Sequence, residues 1–153
     1  MLDMAHYHVA IITLVAVIVA VLLHYEAFVA LTRLIERSHL SHRGRILLLV
    51  FGLLLTHVAE IWLFGLTAWW LVENQGIGTI VGYDGFVMLD YVFMSAVTYT
   101  TLGYGDIIPL GPIRFLYGSE ALTGFMLITW SASFTFLEMQ KHWRLEEKDR
   151  HRR

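Results

Sequence analysis

Residues 100–106, Thr-Thr-Leu-Gly-Tyr-Gly-Asp, are the stretch of this chain whose residue types and spacing could bind an ion. Glycine adopts positive φ without a Cβ penalty, so Gly103 and Gly105 let successive peptide planes alternate. The carbonyl oxygens that can then face one axis belong to Thr101, Leu102, Gly103 and Tyr104. A row of such oxygens can replace the hydration shell of a potassium ion, and the Thr101 hydroxyl can add an oxygen at its inner end.

The composition decides what kind of protein carries this motif. The chain has 153 residues, of which 57% are hydrophobic and 16% charged, and its mean hydropathy is +0.60. These values indicate a small integral membrane protein that contacts the lipid bilayer. The absence of cysteine excludes disulfides and thiol chemistry, and no phosphate loop, nucleophile motif or nucleic-acid-binding pattern occurs. The sequence therefore predicts neither an enzyme nor a cofactor.

Three apolar stretches are long enough to cross a bilayer as helices, a crossing that takes about 20 residues. They are residues 9–31, 46–72 and 113–137. Residues 86–99 are apolar but too short to cross, and they lead directly into the glycine motif. Non-helical backbone at membrane depth survives only when it is buried in protein or lines a wet cavity. The predicted fold is therefore all-α, with three transmembrane helices and one re-entrant pore helix.

The motif resembles the selectivity filter of tetrameric potassium channels, whose T-V-G-Y-G-D pattern is matched here with Leu102 in the valine position. The resemblance covers residues 86–137, including Pro109. It implies a homotetramer with four-fold symmetry that conducts potassium passively, with no bound group except the permeant ions. The residues that would support the filter are Thr100, Gly105 and Asp106. One chain supplies only one filter segment, so a closed ring of oxygens needs four copies.

Basic residues predict the orientation of the chain. They are concentrated between the first two spans and after the third, whereas residues 73–106 contain no Lys or Arg. By the positive-inside rule, the N-terminus lies outside and the C-terminus in the cytoplasm, with the protein in the plasma membrane. The predicted parts are an N-terminal helix with a basic loop (1–45), a pore domain (46–137) and a short charged cytoplasmic tail (138–153).

Gating residues are harder to identify. Gly124 lies about one residue from the position of a glycine that bends the inner helix in the resembled family, but a small residue also permits close helix packing. Phe134 and Phe136 could form a hydrophobic constriction or could pack between helices. Some family members carry a glutamate that pairs with the aspartate after the filter; this chain has Val97 instead. A weakly selective cation channel is therefore an alternative.

Ionisable residues inside the spans need partners, because a charge at the bilayer centre costs at least about 2.5–3.5 kcal/mol. His57 and Glu60 lie three residues apart on one face of the second span. They predict either a pH-sensitive element or a hydrogen-bonded pair that fixes helix packing. A protein of a different class, which binds a metal or redox centre in the membrane through these residues with His24 and Glu26, is a further alternative.

Overall fold

The computed structural model describes residues 4–82 and 85–151, with all side chains except those of residues 42 and 142–151. The helices are α1 (Met4–Arg37), α2 (His42–Glu73), α3 (Met88–Tyr99) and α4 (Arg114–His151). Each predicted helix is present. The long helices extend beyond the predicted apolar stretches because helical hydrogen bonding continues into their polar flanks.

The connection between α1 and α2 is short and held by hydrogen bonds. The Ser41 hydroxyl accepts the Gly44 N–H at 3.4 Å, which satisfies one of the free donors at the start of α2. The Arg45 guanidinium donates to the carbonyls of Leu40 at 3.2 Å and Ser38 at 3.3 Å. Such a tight turn between packed helices makes α1 and α2 an antiparallel pair.

Helix α3 has 12 residues, so it is about 18 Å long, roughly half the thickness of a hydrocarbon core. It begins at Met88, two residues later than predicted, because the Asp90 carboxylate accepts the Val87 N–H at 2.7 Å and fixes the start there. Helix α3 packs against α2 and α4, and α1 packs against the same two helices. The half-length helix therefore lies within a bundle of longer ones.

A two-stranded sheet brackets α3 and the glycine motif. Strand β1 (Thr79–Val81) pairs antiparallel with β2 (Ile108–Leu110), with Ile80 opposite Pro109. The all-α prediction missed this sheet because strands of three residues leave too little pattern to recognise. Its effect is to tie the chain that leaves the motif to the chain that precedes α3.

Two clusters of buried side chains mark opposite ends of the bundle. The larger cluster joins Val9 near the start of α1 to Leu71 near the end of α2 and to Ile113 before α4. The smaller one joins Phe28 and Ile35 of α1 to Leu49 of α2. The basic connection between α1 and α2 follows the smaller cluster, and the glycine motif adjoins the larger one. The motif and the basic connection therefore lie at opposite ends.

Among the described residues, two helices are long and apolar enough to cross a membrane: α1, with mean hydropathy 2.4, and residues 43–73 of α2, with 2.2. Large apolar side chains are exposed along one face of α1, as expected for contact with lipid; they include Ile11, Leu14, Ile18 and Leu22. Residues 113–137 are helical from Arg114 onward, but their polar residues lower the hydropathy of α4, so a third crossing stays a prediction. The predicted tail continues α4 to His151, and residues 152 and 153 lie outside the described part.

Candidate ion-conducting site

Residues 100–106 leave the C-terminal end of α3 as an irregular segment with alternating backbone conformation. Thr101, Gly103 and Gly105 have φ values of 58°, 58° and 83°. Thr101 is the one non-glycine residue with positive φ in the described part of the chain, a conformation that a β-branched residue adopts only when its surroundings impose it. Residues with positive φ therefore alternate with Leu102 and Tyr104, as glycine at this spacing permits, and the alignment of the carbonyls along one axis stays a prediction.

The start of this segment is fixed by the last turn of α3. The carbonyl of Val97 accepts the N–H groups of Leu102 at 2.9 Å and Gly103 at 3.4 Å. The Thr100 hydroxyl donates to the Ala96 carbonyl at 2.7 Å. These bonds also satisfy some of the carbonyl groups that have no partner within the last turn of α3. The glycine motif is therefore attached to α3 without a flexible linker.

The Tyr104 side chain of the motif packs against the middle of α3. The Tyr104 ring stacks on Phe93, with centroids 6.4 Å apart and planes 9° from parallel. A cavity of about 220 Å³ lies beside them, lined by Met94, Val97 and Tyr117 among others. Asp106 lines the same cavity, so Val97 and Asp106 face one space, and the lack of a partner for Asp106 stays a prediction.

A buried polar network lies at the C-terminal end of α3. One carboxylate oxygen of Glu60 in α2 accepts a hydrogen bond from His24 Nδ1 of α1 at 2.8 Å. Its other oxygen receives His57 Nδ1 at 3.1 Å and the Tyr99 hydroxyl. Ser131 of α4 completes the network, with its hydroxyl 3.0 Å from His57 Nε2 and 3.1 Å from His24 Nε2. The network therefore joins all four helices.

The pair predicted from sequence, His57 and Glu60, is thus in contact, but it is part of a larger set. His24 and Glu60 are fully buried. Sequence reasoning named His24 only for the alternative metal site and did not single out Tyr99 or Ser131 as partners. The available signal was that an ionisable side chain within an apolar span needs a polar partner on a neighbouring helix. Glu26, the other residue named for a metal site, is exposed and lies outside the network.

The three ionisable members could hold a metal ion by composition. One ligand atom from each of His24, His57 and Glu60 lies within 4.8 Å of the others, and two imidazoles with one carboxylate form a zinc-type donor set. Each imidazole nitrogen, however, already has a hydrogen-bond partner in the network. The described geometry is that of a hydrogen-bonded brace, and the metal-binding alternative stays a prediction.

A second buried contact braces α3 at its middle. The Ser95 hydroxyl lies 2.7 Å from the Ile61 carbonyl and also hydrogen-bonds Glu120 of α4. Nearer its start, the Tyr91 hydroxyl donates to Glu73 of α2 at 2.7 Å. Helix α3 is therefore attached by side chains along its whole length, which favours a fixed position for the glycine motif.

The residues predicted for gating lie in different surroundings. Helix α4 is continuous through Gly124, and a Cβ at this position would collide with the carbonyl group of Tyr99. Phe134 packs on Phe28 of α1, with ring centroids 4.4 Å apart, whereas Phe136 is exposed. Gly124 thus permits close approach of α4 to the end of α3, and the gating roles of all three residues stay predictions.

Comparison with known proteins identifies the family of this chain. A family model described as ion channel matches residues 45–141, which include most of α2, all of α3 and the glycine motif, and most of α4. No curated protein and no solved structure matches the chain. The match begins after α1 and covers more than half of the chain. The protein therefore belongs to this family of ion channels, which are not enzymes, as a small pore-loop member of the potassium-channel type.

Proposed function

We propose that this protein is a passive potassium-selective channel in which four copies surround one pore. The observation that carries the proposal is the alternation of positive φ at Thr101, Gly103 and Gly105 directly after a half-length helix. Four such segments around an axis would give rings of carbonyl oxygens that can replace the hydration shell of a potassium ion. The ion-binding residues are Thr101, Leu102, Gly103 and Tyr104, supported by Thr100, Gly105 and Asp106.

In this proposal α4 is the third membrane span and lines the pore. Its lower hydropathy has a physical reason, because a helix that faces water and neighbouring subunits needs fewer apolar residues than one that faces lipid. The basic loop and the tail face the cytoplasm, and the filter opens to the outside of the plasma membrane. The separation of the basic loop and the glycine motif to opposite ends of the bundle supports this orientation.

A weakly selective cation channel is the second candidate function. It is favoured by one observation: Val97, which lines the same cavity as Asp106, is apolar and cannot pair with the Asp106 carboxylate as the glutamate of some family members does. The hydrogen bonds of the inner end favour the selective channel instead. Sodium flux distinguishes the two candidates.

The test is ion flux into liposomes that contain the purified protein. Potassium and rubidium should enter far faster than sodium, because the carbonyl rings replace the hydration shell of the larger ions. The particle mass in detergent should correspond to four chains. Equal sodium and potassium flux through tetramers would support the weakly selective candidate, and no flux of either ion would contradict both.

We further expect potassium flux to vary between about pH 5 and 8, the range in which histidine titrates. The groups that face His57 are Glu60 and His24, and Tyr99 connects this set to the pore helix. Glu120 also acts on Tyr99 electrostatically. The variation should disappear in the double variant His24→Gln/His57→Gln, which removes both imidazoles of the network. A double variant that keeps the wild-type pH profile would assign the network a purely structural role.

A further inference from the structure

Helix α1 lies outside the residues that match the channel family, yet one of its side chains reaches the centre of the pore domain. His24 is fully buried, and both of its ring nitrogens are engaged. One nitrogen contacts Glu60 of α2 and the other contacts Ser131 of α4. An apolar residue would serve if α1 were only packing against the pore, because an unpaired polar group in this environment is unfavourable.

The path from His24 to the ion-binding segment is short. The two oxygens of Glu60 divide their contacts: one receives His24, and the other receives the Tyr99 hydroxyl and His57. Tyr99 is the last residue of α3, and Thr100 follows it at the start of the glycine motif. The carboxylate therefore links α1 directly to the side chain that ends the pore helix.

The hydrogen bonds of this network can be counted. The contacts are His24 with Glu60 and Ser131, His57 with Glu60, Tyr99 and Ser131, and Tyr99 with Glu60, which makes six. His57 Nδ1 faces both Glu60 and Tyr99 with a single hydrogen atom, so five hydrogen atoms fill the set. Two neutral imidazoles and two hydroxyls supply one hydrogen atom each, which makes four, so one hydrogen atom is missing. One additional proton supplies it and makes the set neutral overall, as burial in a membrane requires.

This count gives each imidazole a specific role. The additional proton can reside on either ring, since reversing the Ser131 hydroxyl exchanges the donor and acceptor roles of the two Nε2 atoms. With both histidines present, each oxygen of Glu60 has an imidazole donor and the Tyr99 hydroxyl keeps its bond. Without His24, one oxygen of the carboxylate loses its donor, so Glu60 must turn toward the remaining donors or draw in water.

We propose that His24 of α1 is a positioning residue for ion selectivity, which holds Glu60 so that Glu60 in turn holds the Tyr99 hydroxyl and the end of the pore helix. Helix α1 then helps to hold the ion-binding segment in position. This inference rests on the proposed potassium-selective function. It assigns to α1 a role in the geometry of the carbonyl rings.

The experiment compares potassium and sodium flux in liposomes for the wild type, His24→Leu and His24→Gln. His24→Leu should lower the potassium-to-sodium flux ratio about tenfold, within the range measured when members of a coupling network are removed. His24→Gln should restore most of the ratio, because its amide can donate to Glu60 and accept from Ser131. The matched control is Thr13→Val, also in α1, which removes a buried hydroxyl that has no partner within the described residues and should leave the ratio unchanged.

Tyr99→Phe provides a second, milder variant that removes only the hydroxyl linking Glu60 to α3. It should lower the flux ratio by itself, and in combination with His24→Leu the two effects should be less than additive, as expected for neighbours in one network. A wild-type ratio in either single variant, or additive effects in the double variant, would overturn the proposal. Should His24→Leu fail to assemble, a wild-type flux ratio in Tyr99→Phe would still overturn the proposal. A wild-type protein without potassium selectivity would count against the proposed function. Failure of the proposed function can thus be distinguished from failure of the proposed role of His24.

Discussion

Conduction should be lost in Gly103→Ala. Gly103 has φ 58° and a Cβ added there would meet nothing within 4 Å, so the substitution acts through backbone conformation and not through a collision within the subunit. Left-handed backbone costs an L-residue about 1–2 kcal/mol, which favours rotation of the peptide away from this conformation. In the proposed tetramer four copies of this strain meet in one ring of carbonyls. Rubidium uptake into liposomes should fall to the level of empty vesicles.

The matched control for this variant is Gly76→Ala. Gly76 has φ 61° and equally open surroundings, but it lies between α2 and β1, outside the glycine motif. Gly76→Ala should change the thermal unfolding temperature by about as much as Gly103→Ala does. Its rubidium uptake should equal that of the wild type. Undiminished uptake by Gly103→Ala would show that residues 100–106 are not the ion-binding segment.

A second large effect is expected for Gly124→Ala. A Cβ at this position would lie 2.9 Å from the Tyr99 carbonyl carbon and closer still to its oxygen, and the neighbour is backbone that cannot rotate away. Helix α4 must then shift from α3, and overpacking of this kind typically costs about 1–3 kcal/mol. The displaced carbonyl precedes Thr100, so thermal stability of the tetramer and rubidium uptake should fall together.

Gly118→Ala is the comparison variant in the same helix. Nothing lies within 4 Å of a Cβ at Gly118, and alanine is favoured over glycine in helices by about 1 kcal/mol. Its stability should equal or exceed that of the wild type. If Gly124→Ala instead formed tetramers of wild-type stability with altered open probability, Gly124 would act as a gating bend and not as a packing residue.

Local pattern was sufficient for much of this protein. The glycine motif is recognisable because positive φ and close carbonyls require glycine at fixed spacing, and the family match confirms the class of protein that it indicated. The positions of all four helices follow from runs of apolar residues, since a bilayer requires such runs for a spanning helix. The pairing of His57 with Glu60 was predictable because residues three apart share a helix face.

Only the tertiary structure shows which residues of different helices are in contact. Which residue of α1 meets Glu60 depends on the rotation of two helices about their axes, and the sequence gives no measure of this rotation when a helix is apolar on nearly every face. The same applies to Tyr99 and Ser131, whose contacts with His57 join positions 42 and 74 residues apart. The close approach of Gly124 to Tyr99 likewise depends on how α4 crosses α3. Local periodicity fixes which segments are helical, but side-chain packing between helices determines which polar groups meet.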